Sequence, residues 1–445
     1  MDTPICDFVR DYAGKEPLRF HMPGHKGVGE AEKLDITEIP GADVLYRAGG
    51  IIQKSRENAA RLFGSAASFY SAEGSSLCIR AMLYLLRLYA ADLGKPPRIA
   101  AFRNAHNSFL SACALSEVEI SWLYPPAGEN LLACRLSAAE AEARLDALEE
   151  QPLALYVTSP DYLGNLAPLR ELSELCRKRG LLLLVDNAHG AYLRYLPESL
   201  HPMDLGADLC CDSAHKTLPV LTGGAYLHIS AAAPALFRAQ AERALSLFAS
   251  TSPSYLILQS LDRANALLEE EFPAALKAFL PRVAAAKARL QAAGYGLVGY
   301  EPLKLSLATK AYGWEGSDLA EALEQRGIYC EFSDPDHAVF MLSPLGSAAD
   351  LEHLTEALLR LPRREAIGLL PPPLPRPRQV CSPREALFAP SDELPLEQCL
   401  GRVLADPGVT CPPAVPILVC GEAVDEDAQA LLNYYGYQSL RVIKE

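Results

Sequence analysis

Two short polar stretches sit at the ends of strand-like apolar runs, and together they could carry out Schiff-base chemistry. The first is Asp212-Ser213-Ala214-His215-Lys216-Thr217-Leu218, between the run Leu209-Cys210-Cys211 and the β-rich run from Ala225 to Ile229. A lysine between two buried strands is oddly placed for a solubility charge, because lysine is almost never fully buried unless paired. A sequestered lysine has a lowered pKa, which suits Schiff-base formation. The second stretch is Asp186-Asn187-Ala188-His189-Gly190, directly after the apolar run Leu181-Leu182-Leu183-Leu184-Val185. That run reads as a buried parallel strand, and a carboxylate at its end lies where open α/β sheets bind ligands. Pyridoxal phosphate needs a lysine to hold it and an acid to keep its ring nitrogen protonated. Asp186 and Lys216 supply that pair. The plain alternatives are a solvated loop lysine and a strand-end or helix-capping aspartate.

Those residues need elements to position them. The sequence predicts strands over 98–102, 153–157, 181–185, 208–211 and 225–229, alternating with helices over about 138–150 and 167–179. This βα alternation predicts an α/β fold with a mainly parallel sheet flanked by helices. Each polar cluster falls just after a strand. Gly74-Ser75-Ser76 follows a short strand (Ala67 to Tyr70) and opens an apolar helix to about Ala91. Free backbone N–H groups, hydroxyls and the positive end of the helix dipole make this a phosphate cradle, or simply a serine cap. His106 follows the strand at 98–102, where an aromatic ring could stack on a pyridine ring.

The segments Asp186-Asn187-Ala188-His189-Gly190 and Ser213-Ala214-His215-Lys216-Thr217-Leu218-Pro219 resemble the Orn/Lys/Arg decarboxylases, pyridoxal-phosphate enzymes of the aspartate-aminotransferase fold. The resemblance extends over nearly the whole chain. It includes His21-Met22-Pro23-Gly24-His25, Gly41-Ala42-Asp43, Thr251-Ser252-Pro253-Ser254-Tyr255, and Cys381 to Phe388. It implies that Lys216 carries the cofactor, that Asp186 partners the ring nitrogen and that His106 stacks on the ring. It also implies that Ser75, Ser76 and Ser213 hold the phosphate, with His215 beside the reacting carbon or the phosphate. Gly74, Ala188 and His189 would belong to the same cofactor shell. Thr251 or Ser252 would reach the phosphate of a second copy, making a homodimer, or a higher homo-oligomer, with shared sites. The chain departs from the family in three places. The family's Asp-Glu-Ala-His is Asp186-Asn187-Ala188-His189, its Gly-Thr-Ser is Gly74-Ser75-Ser76, and its Tyr-Pro-Pro-Gly-like turn is Cys411-Pro412-Pro413-Ala414.

Bulk properties are consistent with this reading. The 445 residues suit two or three domains, and half of them are hydrophobic. A net charge of −14 argues against nucleic acid or an anionic membrane as partner and is compatible with a cationic small molecule. The twelve cysteines form no Cys-x-x-Cys pair. With a start that lacks a basic-then-apolar leader, this predicts reduced thiols in the cytoplasm and no metal site.

The expected organisation is an N-terminal arm (1–50), a large cofactor-binding domain (51–285), a small α+β domain (286–370), a proline-rich linker (371–380) and a C-terminal family domain (381–445). In the small domain, strands are predicted over 302–307, 327–332 and 338–342. Glu331 and Asp334 could meet a substrate's distal cation, although surface carboxylates are the commoner meaning of such residues. The resemblance implies decarboxylation of arginine, lysine or ornithine. It favours arginine, since short members without a response-regulator-like domain include arginine decarboxylases. An aminotransferase or lyase on the same fold, or an inactive cofactor-binding protein, would share Lys216 and Asp186.

Overall fold

The computed structural model describes residues 1–126, 134–411 and 415–444, so the Cys411-Pro412-Pro413-Ala414 turn falls largely outside the described residues. Seven strands, β1 (Ala67–Ser71), β2 (Arg98–Phe102), β3 (Glu119–Leu123), β4 (Ala154–Thr158), β5 (Leu182–Asp186), β6 (Leu209–Asp212) and β7 (Ala225–Ile229), lie in the order β1-β7-β6-β5-β4-β2-β3. β5 and β6 pair parallel, as do β2 and β3, while β7 runs antiparallel to β6 and β1. Every residue of β5 and β6 is buried, which explains why these strands read as unbroken apolar runs rather than alternating ones.

The chain forms two compact units. The first comprises Met1–Pro97, Pro152–Tyr156 and Leu169–Ala274; the second comprises Arg98–Gln151, Val157–Pro168 and Ala275–Glu445. In the first unit, α1 (Pro4–Gly14) docks through the Asp262 carboxylate, which accepts the Ile5 and Cys6 N–H groups at 2.9 and 3.0 Å. The helix α2 (Ile51–Phe63) has no cap from its own Gly50; instead Asp43 accepts from Gly50 N (2.8 Å) and Ile52 N (3.1 Å). The arm between them has no strand and only a 3-10 turn at Leu45–Arg47. The helix α3 (Gly74–Asp92) follows β1 directly and buries residues on several faces, among them Leu77, Met82 and Leu85, as a helix packed on more than one side must.

The helices that follow are α4 (Asn107–Ser116), α5 (Ala138–Asp146), α6 (Leu169–Arg179), the single turns α7 (Pro202–Leu205) and α8 (Ala214–Thr217), then α9 (Ala235–Phe248) and α10 (Tyr255–Glu270). In the second unit an antiparallel sheet has the order β10-β11-β9-β8, from β8 (Gly296–Val298), β9 (Lys304–Ala308), β10 (Phe332–Ser333) and β11 (His337–Met341). The strand predicted over 327–332 is thus only Phe332–Ser333. Gly327, at φ +75°, and the Ile328 N–H bond back to Leu323 O spend those residues on ending the preceding helix. The same unit holds two two-stranded sheets near the C-terminus, and its buried Val415, Ile417, Leu431 and Val442 form one core with Tyr162 and Phe332. No helix among the described residues is long and apolar enough to cross a membrane.

Candidate active site

Strand register decides which face each polar residue meets. Asp186 ends β5 opposite Cys211 of β6, and the Cys211 Sγ lies 3.6 Å from Asp186 Oδ1. Side chains alternate along a strand, so Asp186 and Cys211 share one face while Cys210 and Asp212 take the other. Asp186 is buried; its Oδ1 accepts the Ala188 N–H at 3.1 Å and its Oδ2 accepts the Tyr156 hydroxyl at 3.3 Å. At Ala188 it is the backbone N–H that makes this contact. A carboxylate fixed by a hydroxyl and an amide can hold a constant orientation toward a ring nitrogen.

The lysine lies on the single turn α8. Its Nζ meets His189 Nε2 at 3.1 Å, which brings Lys216 to the loop that Asp186 opens. One residue earlier, His215 Nδ1 donates to Gly224 O at 3.0 Å, leaving Nε2 as the acceptor nitrogen. Burial lowers the His215 pKa, opposed by the Gly224 bond, so the neutral ring is favoured.

The candidate phosphate cradle is built from the turn before α3 and the loop before β7. Gly74 sits at φ +73° and donates its N–H to Gly223 O at 2.7 Å. Gly223 sits at φ +98°, and a Cβ there would come 2.7 Å from Ala72 O, so neither place suits a side chain. Glu73 occupies the N-cap position of α3 without capping it through its side chain. Ser213 Oγ donates to Ser75 Oγ at 2.7 Å, joining the end of β6 to this turn. Glu73 instead accepts Ser250 N at 2.7 Å, which tethers the loop carrying the exposed Thr251 and Ser252.

Thus the first unit brings Gly74, Ser75, Asp186, Ala188, His189, Ser213, His215 and Lys216 into one chain of contacts, with Ser76 in the same helical turn. Thr251 and Ser252 stand on an exposed loop beside that turn. His106 belongs to the second unit, where it caps α4: its Nδ1 accepts Ser108 N at 3.1 Å and also meets the Ser108 hydroxyl. Tyr156 is the site residue the sequence reading missed; the available signal was a tyrosine inside an apolar strand, whose hydroxyl needs a partner when buried. Glu331 is exposed and accepts the Tyr162 hydroxyl at 3.2 Å. Asp334 is not a surface carboxylate: it is buried and accepts the Asp336 and His337 N–H groups at 2.7 and 2.6 Å, closing the β10–β11 turn.

The family described as Orn/Lys/Arg decarboxylase, major domain, matches residues 3–297. This chain belongs to that family. Its activity is decarboxylation of a basic amino acid, and its cofactor is pyridoxal phosphate. The residues fit that group: an anion cradle shaped by glycines, a buried acid at a strand end and a lysine within reach of the same loop. The chain is 30% identical to the arginine decarboxylase of Bacillus subtilis (strain 168), over 96% of this chain and 92% of that protein. It is 29% identical to the arginine decarboxylase of Halalkalibacterium halodurans, over 100% of this chain and 98% of that protein. Among solved structures, the E. coli constitutive lysine decarboxylase matches with a TM-score of 0.77 and 17% identity, covering 100% of this chain and 82% of that one. That likeness supports the mainly parallel sheet flanked by helices as a fold-type I pyridoxal-phosphate fold.

Proposed function

We propose that this member of the family acts on arginine, releasing carbon dioxide and the corresponding amine, and that it does so in the cytoplasm as a homodimer with shared sites. The arginine decarboxylases align along nearly the whole chain at 30% and 29% identity, which favours arginine. Shared sites are favoured by the arm, where Leu18, Phe20 and Val28 are 85%, 93% and 78% exposed. Apolar side chains so displayed suit a second copy of the chain. The cytoplasm is favoured by the free thiols of the described cysteines.

The observation that carries the assignment of roles is the 3.1 Å meeting of Lys216 Nζ with His189 Nε2. It brings the candidate anchor lysine, on α8, against the loop that begins with the candidate acid. Lys216 would hold the cofactor, and His189 Nε2, 3.1 Å from the Lys216 Nζ, would fix where that amine waits. The cofactor, when bound, supplies an electron sink for the pair left as the Cα–carboxylate bond breaks. Asp186 holds the proton at the ring nitrogen, its own orientation set by Tyr156 and Ala188. Ser75, Ser76, Ser213 and the amides after Gly74 bind phosphate oxygens, and Thr251 or Ser252 reaches the phosphate of the other copy. His215, neutral and with Nε2 free to accept, handles the proton near Cα. His106 would stack on the ring by the family resemblance alone.

Carbon dioxide release from cofactor-loaded protein, given arginine, lysine and ornithine separately, tests this. Release from arginine is expected. Release from lysine or ornithine alone would reassign the substrate. No release, with the visible absorbance of the lysine-bound cofactor intact, would refute the reading.

A further inference from the structure

On the face of β6 opposite Asp186 lies a second polar network, built on Asp212. Asp212 is fully buried; its Oδ1 accepts Asn187 Nδ2 at 2.6 Å. Its Oδ2 meets His201 Nε2 at 3.0 Å and His228 Nε2 at 3.2 Å, and His228 Nδ1 reaches Ser68 Oγ at 2.7 Å. Burial alone would raise the Asp212 pKa, but the two histidines hold it below the ordinary carboxylate range, so the group is an anion. The reaction described above uses none of these atoms.

Its place in the chain gives the network a consequence. Asn187 follows Asp186 directly, and Asp212 precedes Ser213 directly. The Asn187–Asp212 bond therefore ties together the two backbone ends that leave β5 and β6, alongside the 2.9 Å bond from Asn187 N to Cys211 O. Asn187 Oδ1 has no hydrogen-bond partner among the described residues, so the orientation of this amide is fixed from one side, by Asp212. Asn187 is also where the chain departs from the family's Asp-Glu-Ala-His. A glutamate at this position would bring a second carboxylate against a buried anion, and like charges at that range cannot both stay ionised without a large penalty.

We infer that Asn187 and Asp212 are a coupled positioning pair: a carboxylate at 212 requires the amide at 187, and their bond sets the Asp186 strand end against the strand end that carries Ser213 and Lys216. This rests on the reading of Asp186 and Lys216 as cofactor-facing residues.

The test is a double-mutant cycle of N187D, D212N and N187D/D212N, in which the last restores one carboxylate and one amide. Two quantities are read: the unfolding midpoint of the cofactor-free protein and the Kd for pyridoxal phosphate from the visible absorbance. N187D, which keeps both histidine partners of Asp212, should lower the midpoint and raise the Kd about tenfold or more, the effect of a lost buried hydrogen bond. The double variant should recover part of both losses. Additive losses in the midpoint would overturn the pairing. Recovery of the midpoint with a Kd unchanged in all three variants would overturn the positioning role. Lys216→Ala is the separate check on the site: a retained visible band there would sink the cofactor-facing reading and the positioning role with it, while the midpoints still judge the pair.

Discussion

Arg103 holds Glu422 through two parallel bonds, Nη1 to Oε1 at 2.8 Å and Nη2 to Oε2 at 2.7 Å, with both side chains essentially excluded from solvent. The guanidinium also donates to Pro416 O and Ile417 O, each at 3.3 Å. This bidentate geometry is what a planar fork can offer and an ammonium cannot. Arg103 is the residue after β2, three before His106. The buried pair thus pins the loop that displays His106 to the C-terminal part of the chain. Breaking one side leaves an uncompensated buried charge, which typically costs about 3–5 kcal/mol. Arg103→Ala should lower the free energy of unfolding by about that much, read by denaturant titration. Glu422→Gln, which leaves the Arg103 guanidinium buried without a counter-charge, should cost a comparable amount. A loss under about 1 kcal/mol for Arg103→Ala would mean that this pair contributes little to stability.

Lys216 and Asp186 have separable roles, and substitution should separate them. Lys216→Ala should abolish the visible absorbance of the lysine-bound cofactor and all turnover. Asp186→Ala should retain cofactor, because the proposed phosphate-binding serines and α3 amides are untouched, yet lose turnover by about a hundredfold or more, in the range of a removed proton-holding group. Near-normal turnover in Asp186→Ala would exclude its role at the ring nitrogen.

Much of this site was legible in the sequence for a simple reason. A buried parallel strand announces itself as an apolar run, and the polar residue that ends it lies at the ligand-binding edge. That let the sequence single out Asp186 and Lys216 as candidates without any partner being known. What the sequence hides is register and long-range pairing. Tyr156 meets Asp186 from another strand. Asp212 gathers His201 and His228 from 11 and 16 residues away. Arg103 finds Glu422 at a separation of 319 residues. The edge strand β3, largely part-exposed, gave no clear apolar run, and Asp334 looked like a surface carboxylate because its backbone partners exist only once the β10–β11 turn closes.

Gly223 tests the shape of the phosphate cradle. Its φ of +98° is strained for any residue with a Cβ, and that atom would stand 2.7 Å from Ala72 O, a backbone atom that cannot swing away. Gly223→Ala should therefore shift the turn before Gly74, which donates to Gly223 O. The expected cost is about 1–3 kcal/mol in stability, with weaker cofactor binding. Thermal unfolding without and with pyridoxal phosphate separates the two effects. An unchanged Kd would show that the turn tolerates the displacement.

Asp161 gives the second unit a pH dependence of unusual sign. Burial pushes its pKa from the ordinary 3.8 up to about 6, against the opposing pull of the bonds from Asn165. Those bonds run from Asn165 N at 2.7 Å and Asn165 Nδ2 at 2.8 Å. Between about pH 4 and pH 6 the folded chain keeps a proton that the unfolded chain has released. The contribution from this group is therefore fully present below about pH 4 and is lost as the pH rises through about 6, by about 2–3 kcal/mol in all. Asp161→Asn carries no such proton, so the difference in unfolding free energy between variant and parent should change across that window and stay constant above it. The absolute stability of the variant also reflects the altered bonds to Asn165. The change with pH is the informative quantity, and a flat difference from pH 4 to pH 7 would place the Asp161 pKa at its ordinary value.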